Sequence, residues 1–137
     1  MNDEELRQAM AMLDVYRNQL ESAGSQIQLL QMSLDEAGRA KDTLEAFHAS
    51  KEGDELLVPV GASSFVRARV ADADVAIIGV GNKLSVERKM EDAVTYLASN
   101  ISELKDALTK SKESIAELEN RARQLSAAVQ KAYQERQ

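Results

Sequence analysis

The sequence predicts a mainly α chain with a small β insertion: a long antiparallel two-helix coiled coil whose arms are joined by two β-hairpins. Three observations carry this. Apolar residues recur at alternating steps of three and four through the first and last fifty residues. No proline falls in either run, as a long helix demands. Between them the period changes to two, in a block holding the only proline and four of the six glycines. The expected division is an N-terminal helix over 1–52, an assembly block of two hairpins over 53–86, and a C-terminal helix over 87–137.

In the first arm the seam runs Leu6, Ala9, Leu13, Tyr16, Leu20, Ala23, Ile27, Leu30, Leu34, Ala37, Lys41 and Leu44, with Lys41 alone breaking the apolar rule. A seam kept over more than five heptads argues for a coiled coil rather than a surface helix. Gly24 and Gly38 each follow a seam alanine, and a helical glycine costs about 1 kcal/mol against alanine. Either the coil is thin and close-packed there, or the arm bends.

In the block, "ELLVPV" (55–60) is apolar and β-branched, "GAS" (61–63) has turn chemistry, and "SFVRARV" (64–70) alternates. "ADAD" (71–74) turns again, "VAIIGV" (75–80) is another apolar strand, "GN" is a hairpin-type turn, and "KLSV" (83–86) closes the set. Pro59 belongs at an edge or strand end, because it cannot donate to a ladder. An isolated hairpin is marginal in water, and no helix face looks wide enough to cover these aliphatics. Open edges are a route to association. The block is therefore expected to be completed by other chains, in a sheet or β-barrel shared between subunits. Its assembly residues are Leu57, Val58, Val60, Phe65, Val66, Val70, Val75, Ile77, Ile78, Val80, Leu84 and Val86.

The second arm keeps the step through Met90, Val94, Leu97, Ile101, Leu104, Leu108, Ser111, Ile115, Leu118, Ala122, Leu125, Val129 and Ala132. Each arm spans about 70 Å at 1.5 Å per residue. Asp3, Glu4 and Glu5 open the first helix, while Arg121, Arg123, Lys131 and Arg136 lie toward the end of the second. Each set suits its own helix dipole, and an antiparallel fold brings the two sets together.

Composition narrows the function classes. A net charge of −6 argues against a nucleic-acid binder, which needs a basic footprint. Aromatics at 4% and charged residues at 29% suit long helices better than a compact core. There is no cysteine, hence no disulfide or thiolate metal site. "MNDEELRQAM" has neither a basic nor an apolar leader region, and no apolar run approaches the ~20 residues of a membrane span. The expectation is a cytoplasmic protein with no membrane partner.

Catalytic and ligand motifs do not survive inspection. "GVGN" lacks the rest of a dinucleotide fingerprint, and no P-loop is present. The one histidine, His48, reads as a solvated helix-end residue. A single histidine builds neither a catalytic pair nor an ordinary zinc site. "DAD" (72–74) reads as a turn rather than a calcium loop. No nucleophile has a base partner. The chain reads as non-enzymatic, without cofactor or metal.

Helix, two hairpins, helix resembles the alpha-type subunit of archaeal-type prefoldin, a holdase chaperone. The resemblance covers essentially the whole chain and is most specific in "LLVPVGASSFVRARV", in "VAIIGVG", and in the charged turn into "ERKMEDAVTYL". Two hairpins rather than one mark the alpha type. The resemblance implies two alpha-type and four beta-type subunits on a double β-barrel with hanging coiled coils. It implies capture of unfolded client proteins at the coil tips without ATP, and delivery to a group II chaperonin. Here the tips are the two chain ends, where Leu6, Met10, Met12, Leu13, Leu125, Val129 and Tyr133 are the candidate client contacts. Methionine supports such a role because it is flexible and polarizable. Met10 and Met12 lie beside the seam and are expected to be exposed; for the leucines and Val129, closing the coil is the equal alternative. A scaffold or filament subunit built on the same block, its arms acting as spacers, is the alternative.

Overall fold

A computed structural model describes residues 1–136. Helix α1 (Asp3–His48) leads to strands β1 (Glu55–Gly61), β2 (Ser64–Arg69), β3 (Val75–Gly81) and β4 (Leu84–Lys89), then to helix α2 (Met90–Glu135). Contacts divide the chain into two compact units. One is built on Met1–Ser33 with the chain from Leu104 onward, the other on Leu34–Glu103.

In the first unit the start of α1 lies against the end of α2. Asn2 caps α1: its side-chain oxygen accepts the Glu5 backbone N–H at 2.8 Å, and its amide donates to the Glu5 carboxylate at 3.3 Å. Asp3, Glu4 and Glu5 then occupy the positive end of the dipole. Leu6, Ala9, Val129 and Ala132 form a buried cluster, with Leu13 and Leu125 packed against it. The side chains of Asp3 and Arg136 pair across the two helices, as the antiparallel reading requires. All the seam residues of this unit are buried or half-buried, Ser111 included.

In the second unit the seam continues through Leu34, Ala37, Lys41 and Leu44 on α1, and through Met90, Val94, Leu97 and Ile101 on α2, all buried or half-buried. The Lys41 ammonium donates to the Glu45 carboxylate at 2.8 Å. That bond, reinforced by the carboxylate's charge, holds Lys41 above the ordinary lysine pKa.

The two hairpins are near copies of one another, offset by twenty residues. β1 pairs with β2 from Glu55↔Arg69 to Gly61↔Ser64, and β3 with β4 from Val75↔Lys89 to Gly81↔Leu84. Each ladder slips just before its turn, leaving Val60 and Val80 as the extra residues. Gly61 and Gly81 sit at φ +104° and +103°, where a side chain is strained. The turns, Ala62–Ser63 and Asn82–Lys83, hold both residues at positive φ, as a tight hairpin with right-twisted strands demands. Beyond each ladder an equivalent bond closes the base: the Val70 N–H donates to the Asp54 carbonyl (2.9 Å), and the Met90 N–H to that of Asp74 (2.7 Å); the first hairpin adds the Gly53 N–H to the Val70 carbonyl (2.8 Å).

Element bounds differ from the expectation most in two places, the other strand ends shifting by at most one residue. α1 ends at His48 rather than at 52, where Ser50 caps the Phe47 carbonyl and the Asp54 carboxylate accepts the Lys51 N–H at 2.8 Å. β4 runs on to Lys89 rather than stopping at 86. The charged run Glu87-Arg88-Lys89 resembles a helix start, but its backbone pairs with Val75–Ile77.

Candidate functional site

The hairpin block is the first candidate surface. The first hairpin leaves Leu57, Val58, Val60, Phe65 and Val66 exposed, Leu57 at 61%. Opposite residues share a face, so Val58 and Val66 lie on one side of the ribbon and Pro59 and Phe65 on the other. Both sides are therefore open. Pro59 sits in a two-stranded ribbon, where every strand is an edge, as its missing N–H requires. Arg67 reaches Glu55 at 3.5 Å on the Leu57 side, a solvated pair of little energetic weight.

The second hairpin differs. Ala76 and Ile78 are buried in a cluster with Met90 and Ala93, and Leu44, Phe47 and Tyr96 pack against it. The expectation that no helix face covers these strands is thus corrected: the adjoining ends of α1 and α2 together make the socket. Ile78 is buried within its own chain, Val70 likewise, and Val75 is half-buried. Ile78 and Val70 need no partner to leave water. Ile77, Val80, Leu84 and Val86 remain exposed, Ile77 at 75%. A groove of about 670 Å³, lined in part by Leu44, Ile77, Ile78, Tyr96 and Leu97, opens beside the docked face.

His48 is also corrected. It is half-buried, its Nδ1 lying 3.0 Å from the Ala73 carbonyl and 3.5 Å from the Asp74 carboxylate. It ties the end of α1 to the link between the hairpins. The "DAD" segment is a turn as expected, with Asp72 Oδ1 accepting the Asp74 N–H at 2.9 Å.

The helix ends are the second candidate surface. Of the seven residues singled out there, Leu6 and Val129 are buried and Leu13 and Leu125 half-buried, so these four close the coil. Met10, Met12 and Tyr133 are exposed. The Tyr133 hydroxyl lies 3.6 Å from the Met10 sulfur, a weak acceptor, so the two helices share a small apolar rim. Met1 and Val15 add exposed apolar surface nearby, and Leu29 and Met32 more of it farther along α1. Of these, Val15, Leu29 and Met32 were not singled out from the sequence. Their signal was available: each is apolar and off the seam.

Among the described residues no group of side chains is arranged to hold a metal ion. No helix there is long and apolar enough to cross a membrane.

Two long antiparallel helices bearing a pair of two-stranded hairpins define the class of coiled-coil assembly subunits. The family model "Prefoldin subunit" matches residues 16–135. The prefoldin subunit alpha of Pyrococcus horikoshii is 30% identical over 97% of this chain and 90% of its own. That of Methanopyrus kandleri is 31% identical over 83% and 75%. Among solved structures, filamentous PFD from Methanocaldococcus jannaschii aligns with a TM-score of 0.72 at 27% identity, over 89% of this chain and 98% of that one. The prefoldin beta subunit from Thermococcus strain KS-1 aligns with a TM-score of 0.64 at 22% identity, over 93% and 91%, and shows the shared fold. The chain belongs to the prefoldin subunit family, a family of chaperones rather than enzymes, and the Pyrococcus and Methanopyrus relatives are alpha subunits.

Proposed function

We propose that this chain is the alpha-type subunit of an ATP-independent holdase, cytoplasmic, which captures unfolded protein at its helix ends and passes it to a group II chaperonin. The observation that carries the reading is the exposed apolar rim of Met10, Met12 and Tyr133 around a seam that is already closed. Those side chains lie outside the buried seam cluster, and a flexible thioether surface accepts varied apolar partners. The open hairpin edges and the exposed Leu57, Phe65, Ile77 and Leu84 supply the other half: a block that associates with beta-type subunits, in a hexamer of two alpha and four beta chains.

The test is aggregation of a denatured client without ATP, in the presence of this chain and a beta-type partner. Full-length chain and a version lacking about residues 1–14 and 124–137 run side by side, after their assembled masses have been matched. Suppression lost on trimming, with assembly intact, is the expected result. An assembled full-length complex that suppresses nothing contradicts capture.

The likeness to filamentous PFD favours a second reading, self-assembly into a filament through the same hairpins. Mass measured with and without the beta-type partner separates the two: a filament grows from this chain alone.

A further inference from the structure

Outside the hairpins, the exposed large hydrophobics are distributed unevenly. Met1, Met10, Met12, Val15, Leu29 and Met32 all lie on or before α1, and α2 contributes Tyr133 alone. Met12 and Val15 are spaced i, i+3 and so adjoin on the helix surface, as do Leu29 and Met32. Val15 and Leu29 are two heptads apart and share nearly one face. Leu29 and Met32 are the most exposed of the set, at 65% and 66%.

The surroundings of the second pair are unusual for a solvated helix. Residues 18–33 of α1 contain a single charge, Glu21, and are otherwise glutamine, serine and small or apolar residues. The equal stretch 105–120 of α2 contains seven charges. Gly24 lies between the two apolar pairs, and a Cβ built there meets nothing within 4 Å. It is therefore not a packing requirement, and it leaves α1 easier to bend between the pairs.

We infer that Leu29 and Met32 form a second contact for the same partner that the helix ends capture: an extended, apolar, weakly charged segment of non-native polypeptide lying along α1. The inference rests on the capture reading above. Two side chains fall far short of the ~800 Å² per partner that a stable interface between copies requires. They suit one point of a multipoint, transient hold. The two pairs are about 21 Å apart along the helix, a distance that about six extended residues cover. One client segment therefore engages both pairs, and the second contact becomes intramolecular once the first is made. The band between them carries only Arg17 and Glu21, so such a segment lies there with few ions to desolvate.

The experiment measures binding of reduced, carboxymethylated α-lactalbumin, a permanently unfolded chain, to the assembled complex. Three forms are compared: wild type, Leu29→Gln/Met32→Gln, and the rim variant Met10→Gln/Tyr133→Ser. The expected result is affinity about ten-fold lower for Leu29→Gln/Met32→Gln, with assembled mass and helix melting unchanged, and a loss for the rim variant too. Weakening by the rim variant alone overturns the inference and leaves capture at the helix ends standing. Weakening by neither overturns both. A changed assembled mass in Leu29→Gln/Met32→Gln assigns the pair to contacts between subunits and overturns the inference.

Discussion

The two hairpins share register, bulge, glycine φ and turn, yet they meet water differently. In the first, every large apolar side chain from Leu57 to Val66 is exposed. In the second, one face is used: Ala76 and Ile78 are sealed by Leu44, Phe47, Met90, Ala93 and Tyr96. The difference arises from connection, not from local geometry. The second hairpin runs into α2 without a linker, so its Asp74–Met90 closing bond places Met90, 1% exposed, beneath the strand. The equivalent residue of the first hairpin, Val70, leads instead into the turn at Asp72–Asp74. One hairpin is thereby part of the subunit's own core, and its twin keeps its large apolar side chains exposed.

The largest expected effect lies in the socket. Met90→Ala removes a fully buried side chain that both the hairpin and α2 rest on, and should cost about 2–3 kcal/mol of folding stability. Helix melting followed by circular dichroism checks it. A loss below about 0.5 kcal/mol, ordinary for a surface change, breaks the distinction between the hairpins. The smallest effect lies in the turns. Both need two residues at positive φ, which asparagine adopts at less cost than alanine. The second turn has Asn82 where the first has Ala62. Ala62→Asn should stabilise the first hairpin by about 0.5 kcal/mol, read as slower amide exchange at Gly61 and Ser64. No gain there means that the first hairpin is held by something other than its turn.

Much of this was legible in the sequence, because heptads and alternation are short-range signals that burial enforces. The seam from Leu6 to Leu44 and from Met90 to Ala132 is buried or half-buried throughout, even at Lys41 and Ser111. The exposure of Met10 and Met12 follows from the same arithmetic. What escaped depends on where segments meet. Ile78 reads like Ile77, and only the ends of α1 and α2 decide that one is buried and the other open. Glu87-Arg88-Lys89 reads as helix, and only pairing with Val75–Ile77 makes it strand. His48 reads as solvated until the link between the hairpins brings Ala73 within 3.0 Å. The hairpin repeat is faint in sequence because its two copies share only Asp54/Asp74, the step Val60-Gly61/Val80-Gly81, and Val66/Val86 as identities.

The most direct test of the account is the native mass of Leu57→Ser/Phe65→Ser, mixed with a beta-type subunit and compared with wild type. Both side chains are exposed on the first hairpin and contribute little to the fold of the single chain. The account predicts an unchanged helix melt and an assembly that falls apart into smaller species. A full-sized assembly from the double variant contradicts it, because the open hairpin would then not be the surface through which subunits join.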